Sequence, residues 1–254
     1  MKPTRRMSFK EREAFRPLLE RIGVPSDGVL VVHSAIAELS RHGFRAEAMI
    51  EALLDHVADG TLLMPTMTWR TVTPAQPHWD EIETPSHTGV LTEIFRSHYA
   101  TARSIHPTHS VAARGRDAAS LLARHHLDEN PVSANSPYGL MQERSAFILM
   151  IGVGLECCTA IHFAEEALAP EFYLRPEPEP YQCRDRRGHT HLVRTRRHRR
   201  LNRDFPKFAP ALARRKSLHS GHIQSCPCQI VLLRDLLDEV SSALHQNRAA
   251  TLAG

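Results

Sequence analysis

The stretch from Gly28 to Met64 most narrows what this chain can fold into. Gly28 to Val32 is a short, β-branched apolar run that ends in the polar turn His33-Ser34, and it reads as a buried strand. Ala46, Ile50, Leu53, Leu54 and Val57 then recur at helical spacing, Gly60 ends the helix, and Thr61 to Met64 forms a second apolar strand. A strand, helix, strand unit makes a right-handed crossover between parallel strands. The expected fold is therefore α/β, a mixed, partly parallel sheet flanked by helices, in one domain spanning residues 1–254.

The remaining segments fit around that unit. Ser8 opens an amphipathic helix whose apolar face carries Phe15, Leu18, Leu19 and Ile22. From Pro65 to Thr88, four prolines and two tryptophans without sustained period predict a long loop, a candidate lid or substrate wall. Gly89 to Tyr99 is helix-like, Ser110 to Ala113 a short strand, and Gly115 to Arg124 another helix. Phe147 to Val153 gives the clearest strand, after which Thr159 is expected to cap a helix over Ala160 to Leu168. Tyr181 to Thr195, with turn chemistry at Arg187-Gly188-His189, predicts a β-hairpin. Helical segments near Asn202 to Arg215 and Leu233 to His245, with a last short strand over Ile230 to Leu232, complete the chain.

With 42% hydrophobic and 24% charged residues, the chain falls in the globular range, not the disordered one. Apolar runs such as Phe147 to Val153 stop far short of the roughly 20 residues that cross a bilayer. The basic start, Met1 to Arg6, leads into a charged segment instead of an apolar signal core, so a cytoplasmic location with no membrane partner is expected. Five cysteines without a Cys-x-x-Cys pair argue against a disulfide framework, and Cys157-Cys158 read as small buried side chains.

Nine arginines fall between Arg184 and Arg203. Such a cluster suits nucleic-acid phosphates, but it lacks interleaved aromatics apart from Phe205. It reads instead as a solvated hairpin, or one that contacts a second copy in a homodimer, with coenzyme phosphate as a lesser destination and no nucleic acid expected. Seventeen histidines raise a zinc hydrolase as an alternative, through His189-x-His191 with Cys226 and Cys228, but the pieces lack a recognised ligand spacing and no metal is expected.

The chemistry is concentrated at His162 and Glu165, three residues apart on one helical face, where a carboxylate can orient an imidazole and make it a better base. Around this pair, Val31-Val32-His33-Ser34, Gly60-Thr61-Leu62-Leu63-Met64-Pro65-Thr66, Arg103-Ser104-Ile105-His106-Pro107-Thr108-His109-Ser110, Ser136-Pro137 and Gly152-Val153-Gly154 through Thr159-Ala160-Ile161-His162-Phe163-Ala164-Glu165 arrive in order. Together they resemble the aminoglycoside 3-N-acetyltransferases, clearly from about residue 20 to 170 and more loosely beyond. Three departures stand out: Ser34 is followed by Ala35 where the family has a second serine, one glycine pair is reduced to Gly43, and His222 to Cys228 lacks the small-residue pattern.

The resemblance implies an antibiotic N-acetyltransferase fold, acetyl-coenzyme A as co-substrate, and direct transfer of acetyl to an amine, in the family the 3-amino group of an aminoglycoside, with another amine metabolite as the alternative acceptor. It implies His162 as general base and Glu165 as its acid partner. For the coenzyme, His33, Ser34 and Ala35 at the strand end, with Arg103, Ser104 and Ser110, are the expected contacts. A polycationic acceptor wants carboxylates, and Asp80, Glu81, Glu83, Glu166 and Glu171 are the candidates for its wall, joined by His106, which is also the fallback base; His109 and His198 are further candidates for positioning it.

Overall fold

The computed structural model describes residues 9–254. Its strands are β1 (Val29–Ser34), β2 (Thr61–Pro65), β3 (His78–Asp80), β4 (Ala102–Arg103), β5 (Val111–Gly115), β6 (Ala146–Ile151), β7 (Glu179–Arg184), β8 (Thr190–Thr195), β9 (Leu218–Ile223) and β10 (Cys226–Leu232). Seven of them form one mixed sheet in the order β4-β5-β2-β1-β6-β10-β9. Only the central three are parallel, with Val31 opposite Leu63 of β2 and Ile148 of β6; the flanking strands run antiparallel.

Those three strands carry apolar residues at nearly every position because both of their faces are covered. Leu30, Val32, Leu62, Met64, Leu149 and Ile151 pack against Phe15 and Leu19 of the Phe9–Ile22 helix and Met49, Ile50 and Leu53 of the Ala46–His56 helix. The alternate residues Val29, Val31, Leu63, Ile148 and Met150 pack against Ile161 and Ala164 of the Ile161–Leu168 helix and Leu236 and Val240 of the Leu233–Gln246 helix. The expected β1–helix–β2 crossover is present, and the chain later returns on the other side of β1 as β6. Strand order therefore reverses beside β1, the arrangement that opens a crevice at the carboxyl ends of parallel strands.

Four local expectations need correction. The 65–88 segment is not a free loop: β3 pairs in parallel with β7, making a second sheet β3-β7-β8 whose small core is Val72, Trp79, Tyr181, Cys183 and Val193. Thr159 does not cap the site helix. Ala160 holds that position and no side chain caps it. The strand at the carboxyl end is longer than Ile230–Leu232 and pairs with an unexpected edge strand, β9, whose sequence Leu-His-Ser-Gly-His-Ile has little apolar pattern to reveal it. The 89–99 helix is α-helical only over Val90–Ile94 and widens to a π turn over Phe95–Tyr99. The helix expected to open at Ser8 runs over Phe9–Ile22, and Ser8 lies outside the described residues. Among the described residues, no helix is long and apolar enough to cross a membrane.

Gly152 joins β6 to the site. Its φ of +66° is left-handed, and a Cβ there would stand 2.2 Å from the Ala35 carbonyl oxygen at the end of β1. A left-handed non-glycine residue costs roughly 1–2 kcal/mol before any clash. Gly152→Ala is thus expected to lower unfolding free energy by about 2 kcal/mol or more in a urea titration; an unchanged midpoint would show that the two strand ends can separate freely.

Candidate active site

His162 and Glu165 stand in the first two turns of the Ile161–Leu168 helix, just past β6, and they meet as the spacing predicts: His162 Nδ1 lies 2.7 Å from Glu165 Oε2. Glu165 is fully buried, and an unpaired buried carboxylate would cost several kcal/mol. Arg203 Nε donates to both of its oxygens, at 3.0 and 3.1 Å, and Thr251 Oγ1 donates to Oε1 at 2.6 Å. Burial alone would push this carboxyl up, but His162 and Arg203 outweigh burial and hold it below the usual range. An ionised Glu165 accepts the Nδ1 proton, which leaves the lone pair of His162 on Nε2.

Four more imidazoles run inward from this pair. His162 stacks on His198 at 4.3 Å, His198 meets His109 edge-on at 5.0 Å, His109 meets His106 at 5.9 Å, and His106 stacks on His125 at 4.4 Å. Each is kept neutral by burial, His125 down to about 4 and His106, His109 and His198 well below the ordinary value. His198 Nε2 lies 2.8 Å from Glu166 Oε1, and burial raises that carboxyl well above its usual range, so the pair is shared without net charge.

Two cavities meet at His162. One, of about 460 Å³, runs along the carboxyl ends of β1 and β2 past His33, Ser34, Ala35, Met67, Thr88, Gly89 and Cys157. The other, of about 590 Å³, is lined by Thr73, His198 and the arginines 70, 175, 197, 199, 200 and 203. Trp69, Arg70 and His109 border both. His162, its side chain 18% exposed, borders both cavities and is backed by the buried Glu165 carboxylate.

Residues 31–245 match the family model described as aminoglycoside 3-N-acetyltransferase. The chain belongs to this family. The SPbeta prophage-derived aminoglycoside N(3')-acetyltransferase-like protein YokD of Bacillus subtilis (strain 168) is 24% identical over 248 residues, 87% of each chain. The crystal structure of YokD superposes with a TM-score of 0.75 over 94% of both chains. Aminoglycoside N(3)-acetyltransferase IV from Salmonella sp is 32% identical over 158 residues, 62% of this chain and 59% of that one. The structure of AAC-IIIb binary with CoASH matches at 21% identity and a TM-score of 0.74, covering 92% and 96% of the two chains. The chain is thus an acyltransferase of the aminoglycoside N(3)-acetyltransferase kind, with the α/β architecture that the sequence motifs imply.

Within this acetyltransferase the other expected residues divide sharply. His33, Ser34 and Ala35 do line a cavity with His162, but the Ala35 amide is bound to the Ile151 carbonyl at 2.7 Å, so the free groups there are side chains, including a buried and unpartnered His33 Nε2. Arg103, Ser104 and Ser110 face inward. Arg103 donates to Thr66 and Ser110 hydroxyls at 3.1 Å and to the Thr66, Glu81 and Thr84 carbonyls, and its guanidinium lies 4.8 Å over Trp79. Its fork clamps the 65–88 segment as a fixed wall, with all three nitrogens engaged by the protein and the side chain buried away from both cavities. Ser104, 1% exposed, lies 2.8 Å from His125 and accepts from the Val111 amide. His106 is completely buried, its Nδ1 accepting the Thr108 and His109 amides, which removes it as a substrate contact and as a base.

None of the expected acids reaches the site. Asp80 accepts from the Ile82 and Glu83 amides, Glu81 is held by Arg186, Glu83 is exposed on the same turn, Glu166 is buried against His198 and the Val132 amide, and Glu171 pairs with Arg248 outside. Cys158 is buried as expected, whereas Cys157 is exposed on the cavity wall. His189 and His191 sit on Asp185 in the small sheet while Cys226 and Cys228 belong to the large one, so the four do not converge. Arg70, His87, Arg203 and Thr251 carried no motif signal. Only the arginine cluster hinted at one of them, Arg203, whose contact with Glu165 spans 38 residues of sequence, while that of Thr251 spans 86.

The neutral histidines tie stability to pH. Unfolding returns each to about 6.5, so below that value the unfolded chain takes up protons the folded chain refuses. Stability is full above about pH 6.5 and is lost as pH falls toward 4; Glu166, raised in the fold, works in the opposite direction but is one group against four. Calorimetric Tm should fall steadily from pH 7.5 to 5. A flat profile would mean that these rings are protonated in the folded protein.

Proposed function

We propose that this protein transfers an acetyl group from acetyl-coenzyme A directly to a primary amine, with His162 as general base and Glu165 as the residue that fixes its tautomer. The supporting observation is the position of His162 Nε2, whose ring is locked by a buried carboxylate where two cavities meet. A coenzyme lying along the β1 and β2 ends would bring its thioester to the junction, with His33, Ser34 and His87 offering polar groups to the pantetheine arm; His33 Nε2 and both His87 nitrogens are buried without partners. The acceptor would enter from the other cavity. Its nitrogen attacks the thioester carbon, His162 Nε2 takes the proton that the new C–N bond makes acidic, and the C–S bond breaks to release coenzyme A, protonated in turn by the imidazolium. Glu165 stabilises that imidazolium, and Arg203 and Thr251 keep the carboxylate from turning away.

The family implies the 3-amino group of an aminoglycoside as acceptor, and the same chemistry at His162 would serve it. A specific observation favours the alternative of another amine: no carboxylate among the described residues borders the acceptor cavity.

Release of free thiol from acetyl-coenzyme A, measured with the purified chain against aminoglycosides and simpler amines, tests the reading. Turnover is expected with at least one amine, and no coenzyme binding would overturn it. His162→Ala should reduce kcat by roughly 10²–10⁴-fold with coenzyme affinity retained; unchanged turnover would remove His162 from the mechanism. Thr251→Val should lower kcat more mildly, since Glu165 keeps its bonds to His162 and Arg203.

A further inference from the structure

We infer that the acceptor amine also carries an anionic group, a phosphate or a carboxylate, held by the arginine-lined cleft beside His162. The inference rests on the acetyl-transfer reading, which assigns the strand-end cavity to the coenzyme and leaves this one to the acceptor.

Among the described residues, six arginines and no carboxylate border the cleft. Only two of the six have acidic partners, Arg203 with Glu165 at 3.0 Å and Arg175 with Glu179 at 3.8 Å. Arg197 donates to the Val72 and Trp69 carbonyls and Arg199 to the Leu174 carbonyl, contacts that aim a guanidinium without neutralising it. Arg70 lies 4.9 Å over the Trp69 ring, and Arg200 forms no ion pair among the described residues. Arg203 keeps a buried Nη2 with no partner, although its Nε is committed to Glu165. The histidines beside them, His109 and His198, are neutral and add no charge, so among the described residues Glu165 and Glu179 alone offset the six cations.

Facing cations without counter-charge repel one another, and an anion placed among them gains charge-assisted, bidentate hydrogen bonds. A ligand with several ammonium groups and no anion meets the opposite field. The positive wall also helps the reaction itself: a nearby like charge disfavours an ammonium, so an amine anchored here by its phosphate sheds its proton to His162 more easily. Two sources of anion fit this chemistry, the acceptor itself and the phosphates of coenzyme A, and the experiment separates them.

Calorimetric titration of the full chain, first with coenzyme A and then at saturating coenzyme with glucosamine, glucosamine 6-phosphate, phosphoethanolamine, inorganic phosphate and kanamycin, provides the test. Glucosamine 6-phosphate is expected to bind at least about tenfold more tightly than glucosamine, and to weaken as salt is raised. The double variant Arg175→Gln/Arg200→Gln, both on exposed side chains that border only this cleft, should lose about that tenfold while coenzyme affinity stays unchanged. Equal binding of the two sugars, tighter binding of kanamycin, or no binding by any phosphate-bearing probe would overturn the inference. So would a double variant that loses affinity for coenzyme A instead, since the cleft would then belong to the donor. Failure of the acetyl-transfer reading shows separately, as absence of coenzyme binding in the first titration.

Discussion

Complete burial of β1, β2 and β6 on both faces is the constraint from which the rest of this molecule follows. Strands of this kind leave no room for polar side chains along their length, so hydrogen-bonding chemistry is displaced to their carboxyl ends, where β1 gives out at His33-Ser34, β2 at Pro65-Thr66 and β6 at Gly152. Reversal of strand order beside β1 separates the covering helices at that edge. The helix that carries His162 starts there, and both cavities open there.

Burial then dictates the electrostatics. Most polar groups behind His162 are kept uncharged: four imidazoles are neutral, and Glu166 shares its proton with His198 instead of holding a charge. Glu165 is the exception. Its charge survives because Arg203, His162 and Thr251 all direct donors at it, three groups from three distant parts of the chain. A charged pair inside a neutral shell is a rigid arrangement, since both oxygens are committed to donors, and such rigidity suits the general base proposed for His162.

Legibility in the sequence followed the range of the interaction. The βαβ unit, the site helix, the hairpin and the His162–Glu165 contact all depend on residues within one or two turns, and periodicity or spacing reveals them. Arg103 illustrates the opposite case. As a residue type it suits phosphate, but the chain brings three carbonyls, two hydroxyls and the Trp79 ring around it, so each of its nitrogens is engaged inside the protein. Ser104 and His106 are withdrawn in the same way. Of the acids expected to face a polycation, Asp80, Glu81, Glu166 and Glu171 were claimed by an arginine, a histidine or a backbone amide and Glu83 stays exposed, while the arginines read as a solvated hairpin turned partly inward, because the residues after β8 pass beneath the 65–88 wall.

The sequence by itself determined the fold class, the family and the pairing of an imidazole with a carboxylate, because these are written in local periodicity and in short motifs whose order survives in the chain. The charge of the arginine-lined cleft beside His162 was decided only by tertiary structure. Whether a charged side chain serves a ligand or the protein depends on which partners reach it first, and those partners come from segments far apart in sequence that only packing brings together.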